Sequence, residues 1–203
     1  NIIFTNPKQA FLDAENAKNE GYYFIHPFDG PLTLQGSATL GLEIVEYLKS
    51  INTKIDNLLI SVGGGGLISG VSSYVKQFYP KIKIIGVEPE NANGLNQSLR
   101  ANKPLNNVNV NSIADSLSAP LHMQYSFDVA KEVIDEMVTV SDDEMKKFMV
   151  FCYKKFKLFL EPACVAGLAA LKYKINNNLV GKNTMVILCG SNIDKKTWSD
   201  LTN

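Results

Sequence analysis

Residues 57–70, NLLISVGGGGLISG, join an apolar run to four consecutive glycines and then to a helical pattern. Asn57 to Val62 is short and aliphatic, as a buried strand requires. Leu67, Val71, Tyr74, Val75 and Phe78 then fall on one side of a helix. Glycines reach backbone angles closed to other residues and put no Cβ in the way of a ligand. A helix N-terminus adds unpaired N–H groups and partial positive charge, so Gly63 to Gly66 with Leu67 read as a seat for an anion such as phosphate. A dinucleotide fingerprint needs G-x-G-x-x-G, with an acid about 20 residues further on. Glu88 would serve as that acid, but the third glycine position is Ile68 in one register and Ser69 in the other. A Walker loop fails because no Gly-Lys-Ser/Thr follows. A tight turn with no ligand is the alternative, against which four successive glycines each cost about 0.5–1 kcal/mol of conformational entropy.

Strand-like and helical segments alternate along the chain. Predicted strands are 2–4, 22–25, 57–62, 82–87, 137–140 and 184–188. Predicted helices are 7–19, 33–48, 67–78, 93–101, 141–159 and 163–173. Ser141-Asp142-Asp143-Glu144 is a capping box, and Pro162 suits a helix first turn. The alternation predicts a parallel sheet with ligands at the carboxyl ends of its strands. At 203 residues and 45% hydrophobic content the chain supports one good core, with a partial second domain allowed. Twenty basic residues balance twenty acidic ones, which leaves no electrostatic footprint for nucleic acid or anionic lipid. Cys152, Cys164 and Cys189 lack CxxC spacing and read as reduced thiols of a cytoplasmic protein. No apolar run reaches membrane-spanning length.

Seven motifs, spread over nearly the whole chain, resemble one family in order and spacing. They are Phe24-Ile25-His26-Pro27-Phe28-Asp29; Gln35 to Glu43 (QGSATLGLE); Ser61 to Leu67 (SVGGGGL); Gly86-Val87-Glu88-Pro89; Ile113-Ala114-Asp115-Ser116; Leu160-Glu161-Pro162-Ala163; and Leu188-Cys189-Gly190-Ser191-Asn192. The family is the fold type II pyridoxal-phosphate enzymes, specifically the threonine/serine dehydratase and serine racemase group. The resemblance implies an α/β, tryptophan-synthase-beta-like fold: a three-layer parallel sheet, incomplete here. Residues 1–24 would be a remnant of the small α/β domain and 25–203 the large cofactor domain.

The same resemblance assigns roles. Gly63, Gly64, Gly65, Gly66 and Leu67 would hold the phosphate of pyridoxal 5′-phosphate, and Cys189 would face its pyridine nitrogen. A neutral thiol there makes the ring a tempered electron sink, suited to β-elimination. The alternative for Cys189 is a buried small hydrophobe. Glu161 would orient groups at the site, or else interact with a helix dipole. Ser116 lies in a loop that approaches the ring. Relatives bind a cation through the residue matching Glu88, the carbonyl matching Ala92 and an acid two residues later. Gly94 stands at that last position, which leaves a weak Mg²⁺, Ca²⁺ or K⁺ site or an empty one. His26 and His122 form no triad or metal spacing.

The lysine that joins the cofactor covalently lies, in this family, in a Ser-x-Lys-x-Arg motif, and no such motif occurs here. No catalytic residue is therefore assigned, and the chain is expected to correspond to the carboxyl-terminal part of a family member, inactive alone. The implied parent activity is dehydration and deamination of L-threonine or L-serine in a homodimer or homotetramer. Serine racemization is the alternative within the family, and a non-catalytic binding protein the alternative outside it.

Overall fold

The computed structural model describes residues 2–175, 178–179 and 181–202. Four strands, β1 (Asn57–Ser61), β2 (Lys83–Pro89), β3 (Glu136–Val140) and β4 (Thr184–Val186), form one sheet in the order β3-β2-β1-β4. Every neighbouring pair is parallel. All five residues of β1 are buried, because helices cover both faces of the sheet. Side chains of a strand point alternately to its two faces, and that alternation divides the core. Leu58 and Ile60 pack with Ile44, Val45 and Leu48 of α2 (Pro31–Ser50), with Val71 and Val75 of α3 (Gly66–Phe78), and with Phe127 and Ala130 of α5 (Gln124–Val133). Leu59 and Ile85 turn to the opposite side. Val87 and Val140 pack there against α6 (Asp142–Phe156) and α7 (Pro162–Tyr173). Complete burial of each such aliphatic side chain contributes roughly 1.5–3 kcal/mol. The result is the three-layer parallel architecture expected from the sequence.

Small residues set how closely the layers meet. A Cβ on Gly41 of α2 would lie 2.8 Å from the Val71 carbonyl of α3, and one on Gly70 would overlap the Leu34 carbonyl. The two helices therefore pack backbone against backbone, and α2 fixes the helix that carries the glycine loop. On the other face, a Cβ on Gly167 of α7 would stand 2.7 Å from Val186 Cγ1, so α7 lies directly on the sheet.

The capping box is present in both directions. Ser141 Oγ accepts from the Glu144 N–H at 3.2 Å, and Glu144 Oε2 accepts from the Ser141 N–H at 2.8 Å. The helix stops at Phe156 rather than near 159, because Lys157 takes a left-handed conformation (φ 59°). Residues 2–4 and 22–25 are not strands. Ile2, Ile3, Phe4, Tyr22, Tyr23 and Ile25 are exposed and have no neighbouring strand to complete a ladder. The helix expected over 7–19 is present as α1 (Pro7–Asn19). Helix α4 (Gly94–Ala101) also matches its expected span closely. The sequence reading did not assign α5 or α8 (Lys195–Thr202). Among the described residues no helix is long and apolar enough to cross a membrane.

Candidate functional site

The glycine loop leaves β1 at the carboxyl edge of the sheet and enters α3, as its sequence requires. Gly65 is left-handed (φ 94°) and precedes the helix. Its neighbours are glycines for a different reason, the close approach of other backbone and rings. A Cβ at Gly63 would lie 3.0 Å from the Ser116 carbonyl and 3.1 Å from Leu117 Cα. One at Gly64 would overlap the Phe28 ring, and one at Gly66 would sit 2.7 Å from the Phe28 carbonyl. The loop is thus held from one side by the Pro27-Phe28 turn and from the other by the short 3-10 turn Asp115–Leu117.

The backbone N–H groups of Gly63 to Leu67 have no hydrogen-bond partner among the described residues. They open on a cleft of about 400 Å³ whose lining includes Ser61, Ser116, Ala163 and Cys189. Free amides at a helix N-terminus, in a recess with no carboxylate among its lining residues, match the donor set a phosphate monoester needs. A larger hollow of about 450 Å³ lies around His26, Tyr23 and Phe24, away from the glycine loop.

Cys189 is exposed, whereas Cys152 and Cys164 are buried. The buried-hydrophobe alternative therefore fails for Cys189 and holds for the other two thiols. Partial burial first, and the nearby Glu161 carboxylate second, push the Cys189 thiol above its ordinary pKa. Both effects favour the neutral thiol.

Glu161 precedes α7, but its side chain makes no cap hydrogen bond to that helix. Its carboxylate turns away, accepting from the Asn192 N–H at 3.0 Å and from Ser116 Oγ at 3.4 Å. One residue thereby ties together the loops that carry Ser116 and Cys189. Of its two sequence readings, the positioning one matches these bonds.

Glu88 is fully buried at the end of β2, and its carboxylate serves the N-terminus of α4. Oε1 accepts from the Leu95 N–H at 2.8 Å and Oε2 from the Asn96 N–H at 2.9 Å. Burial nonetheless outweighs these two bonds and pushes its pKa up to about 8. A cation site needs this group ionised and its oxygens free. Ala92 is buried beside it, and a Cβ at Gly94 would lie 2.5 Å from His122 Nε2. The space where a further ligand at 94 would extend is filled by imidazole. Among the described residues no cluster of three His, Cys, Asp or Glu could hold a metal. The Glu88 carboxylate here serves as a helix cap, and the cation site expected at Glu88 and Ala92 is not shown.

The sequence reading missed three contributors. Phe28 packs on the glycine loop, Ser61 lines the cleft from beneath, and buried His122 stands behind Gly64 and Gly94. The Gly64 backbone favours the protonated His122 ring, yet among the described residues neither ring nitrogen has a hydrogen-bond partner. Burial dominates and pushes His122 down to about 4. His26, by contrast, is structural: Nδ1 accepts from the Phe28 N–H at 3.3 Å and the ring stacks on Phe11.

Comparison with known proteins accords with this geometry. The chain is 39% identical over 199 residues to phenylserine dehydratase of Ralstonia pickettii, covering 98% of this chain and 60% of that protein. It is 34% identical over 195 residues to L-threonine ammonia-lyase of Geobacter sulfurreducens, covering 96% and 47% of the two chains. Among solved structures, the processed form of threonine deaminase isoform 2 from Solanum lycopersicum superposes with a TM-score of 0.84 at 34% identity, covering 93% of this chain and 54% of that one. Maize serine racemase superposes with a TM-score of 0.81 at 28% identity, covering 95% and 59%. The chain spans about half to three fifths of the length of these relatives. Residues 2–190 match the family described as pyridoxal-phosphate dependent enzyme, and the chain belongs to that family.

Proposed function

We propose that the cleft is a pyridoxal 5′-phosphate site and that the protein to which this chain corresponds is an L-threonine or L-serine dehydratase. That reaction is an ammonia-lyase elimination of the β-hydroxyl that yields a 2-oxo acid and ammonia. The observation that carries this is the row of unpartnered N–H groups from Gly63 to Leu67, opening on the same recess as Cys189. When bound, the cofactor supplies an electron sink for the substrate's α-carbon. The residues of the chain do the rest of what is proposed. Gly63 to Leu67 hold the phosphate through backbone amides and the α3 dipole. Cys189 offers the ring nitrogen a neutral donor. Glu161, anchored by Asn192 and Ser116, keeps the Cys189 and Ser116 loops at a fixed separation. No lysine lines the cleft among the described residues, so the covalent anchor and α-proton base are assigned to the segment bearing the family's Ser-x-Lys-x-Arg motif.

In the same reading, residues 1–24 belong to a small domain and 25–203 to the large cofactor domain. The protein works on a free amino acid, in the cytoplasm, as a homo-oligomer, without nucleic acid or membrane. No metal is assigned.

The test is release of 2-oxo acid from L-threonine and L-serine by this chain, alone and supplied with the lysine-bearing segment of a relative. Release by the supplemented chain is expected, with none from the chain alone. Failure of either preparation to bind pyridoxal 5′-phosphate would overturn the proposal.

A further inference from the structure

Ser61 is the last residue of β1, buried to 3% exposure, and its Oγ has no hydrogen-bond partner among the described residues. A buried hydroxyl without a partner costs about 1–3 kcal/mol, so native structures rarely leave one unexplained. Its surroundings supply the explanation. The hydroxyl belongs to a residue lining the same cleft as Gly63 to Leu67, Ala163 and Cys189. The register Asn57↔Thr184, Leu58↔Met185, Leu59↔Val186 is extended by the Ile187 N–H donating to the Leu59 carbonyl at 3.1 Å. Carried on by two residues, it sets Ser61 level with Leu188 and next to Cys189. Ser61 also shares the face of β1 that holds Leu59, the face covered by α7, whose first turn contributes Ala163 to the cleft. It therefore lies on the floor between the phosphate seat and the thiol, beneath the span that the body of a ligand must cross.

We infer that Ser61 is a further binding residue of this site, its hydroxyl hydrogen-bonding the ring of a phosphorylated pyridine rather than the phosphate. This rests on the pyridoxal-phosphate reading of the cleft. The phosphate already has the amides of Gly63 to Leu67, and those lie on the helix side of the loop. Ser61 is on the strand side, with Cys189 as its neighbour across the sheet edge. A serine hydroxyl is neutral at every working pH, so it adds recognition of the ring's polar edge without protonating it.

The experiment uses pyridoxine 5′-phosphate, which has no aldehyde and cannot react with surface lysines, alongside inorganic phosphate. Both are titrated calorimetrically into the chain and into its Ser61→Ala variant, with thermal unfolding as the control for folding. The expected result is roughly tenfold weaker binding of pyridoxine 5′-phosphate by the variant, the size of one hydrogen bond, with phosphate affinity unchanged. A shift of the bound ring's ultraviolet absorption between the two proteins should accompany it. Equal binding of pyridoxine 5′-phosphate by both proteins overturns the inference about Ser61 and leaves the cofactor reading standing. Equal weakening of both probes places the hydroxyl on the phosphate and also overturns it. If the parent chain binds neither probe, the cofactor reading itself fails. Should Ser61→Ala unfold, Ser61→Cys takes its place, with the same expected split between the probes.

Discussion

Glu161 and Gly190 touch so closely that a Cβ at position 190 would overlap Glu161 Oε1. Gly190 also has φ 146°, where side chains are strained. The carboxylate that bridges the Ser116 and Cys189 loops thus requires glycine immediately after the thiol.

Gly190→Ala should displace Glu161 and destabilise the chain by about 1–3 kcal/mol, as overpacking does. Urea unfolding reads the loss directly. Glu161→Ala should cost a similar 1–3 kcal/mol, because the Asn192 N–H loses its acceptor. Glu161→Gln keeps an oxygen for Asn192 and should recover most of that stability. If alanine and glutamine behave alike, the bridge contributes nothing.

Phe28 and Gly64 should prove coupled. Gly64→Ala forces the Phe28 ring away and should cost about 1–3 kcal/mol. In a Phe28→Ala background the same change should cost less, with an interaction energy in the range of about 0.5–3 kcal/mol for touching residues. A double-mutant cycle on unfolding free energies gives the answer, and strict additivity would mean the two do not meet.

Thiol labelling should separate the cysteines. Under native conditions only Cys189 should react with a maleimide, and slowly, because its pKa is raised by burial and by Glu161. Cys152 and Cys164 are buried, and burial pushes Cys164 up to about 12. Mass spectrometry after limited labelling should therefore find a single adduct, which Cys189→Ser removes. Bound pyridoxine 5′-phosphate should protect the same thiol.

Two buried groups give opposing pH dependences. His122 is held near 4, below its ordinary 6.5, so the unfolded chain binds more protons between those values. Its contribution is full above pH 6.5 and is lost as pH falls towards 4. Glu88 is held near 8, above its ordinary 4.5, so the folded chain binds more protons in that interval. Its contribution is full below pH 4.5 and is lost as pH rises through 8. Between pH 6.5 and 8 only Glu88 acts, and stability should decline across that window. Glu88→Gln should flatten the decline there. His122→Asn should flatten the acid side instead. Melting temperatures taken across pH 4 to 9 distinguish the two slopes.

Much of the fold was legible because each core element carries a local period. Leu58 to Ile60 is apolar at every position, as a strand covered on both faces must be, and the Ser141–Glu144 box announced its helix. The expected strands at 2–4 and 22–25 failed because an apolar run becomes a strand only when a neighbouring edge accepts its hydrogen bonds. Helix α5 was missed because Met123 offers it no side-chain cap, whereas the signal for α8 was there to read: the Asp194 carboxylate accepts from the Lys196 and Thr197 N–H groups. At the proposed site, four glycines in succession drew attention to the loop, and the distant motifs drew attention to Cys189 and Glu161.

The sequence by itself determined the strand–glycine–helix unit and the parallel alternation around it, since these follow from local spacing and side-chain chemistry, whereas Cys189 was marked by the family resemblance. Tertiary structure decided why each glycine is a glycine: Gly65 for its left-handed turn, Gly64 and Gly66 for Phe28, Gly63 for the Ser116–Leu117 backbone. It also decided that Glu88 caps α4, and that His122, 28 residues beyond Gly94 in the chain, fills the space beside Gly94. Contacts between residues far apart in sequence leave no periodic trace, and only the packed chain reveals which of them meet.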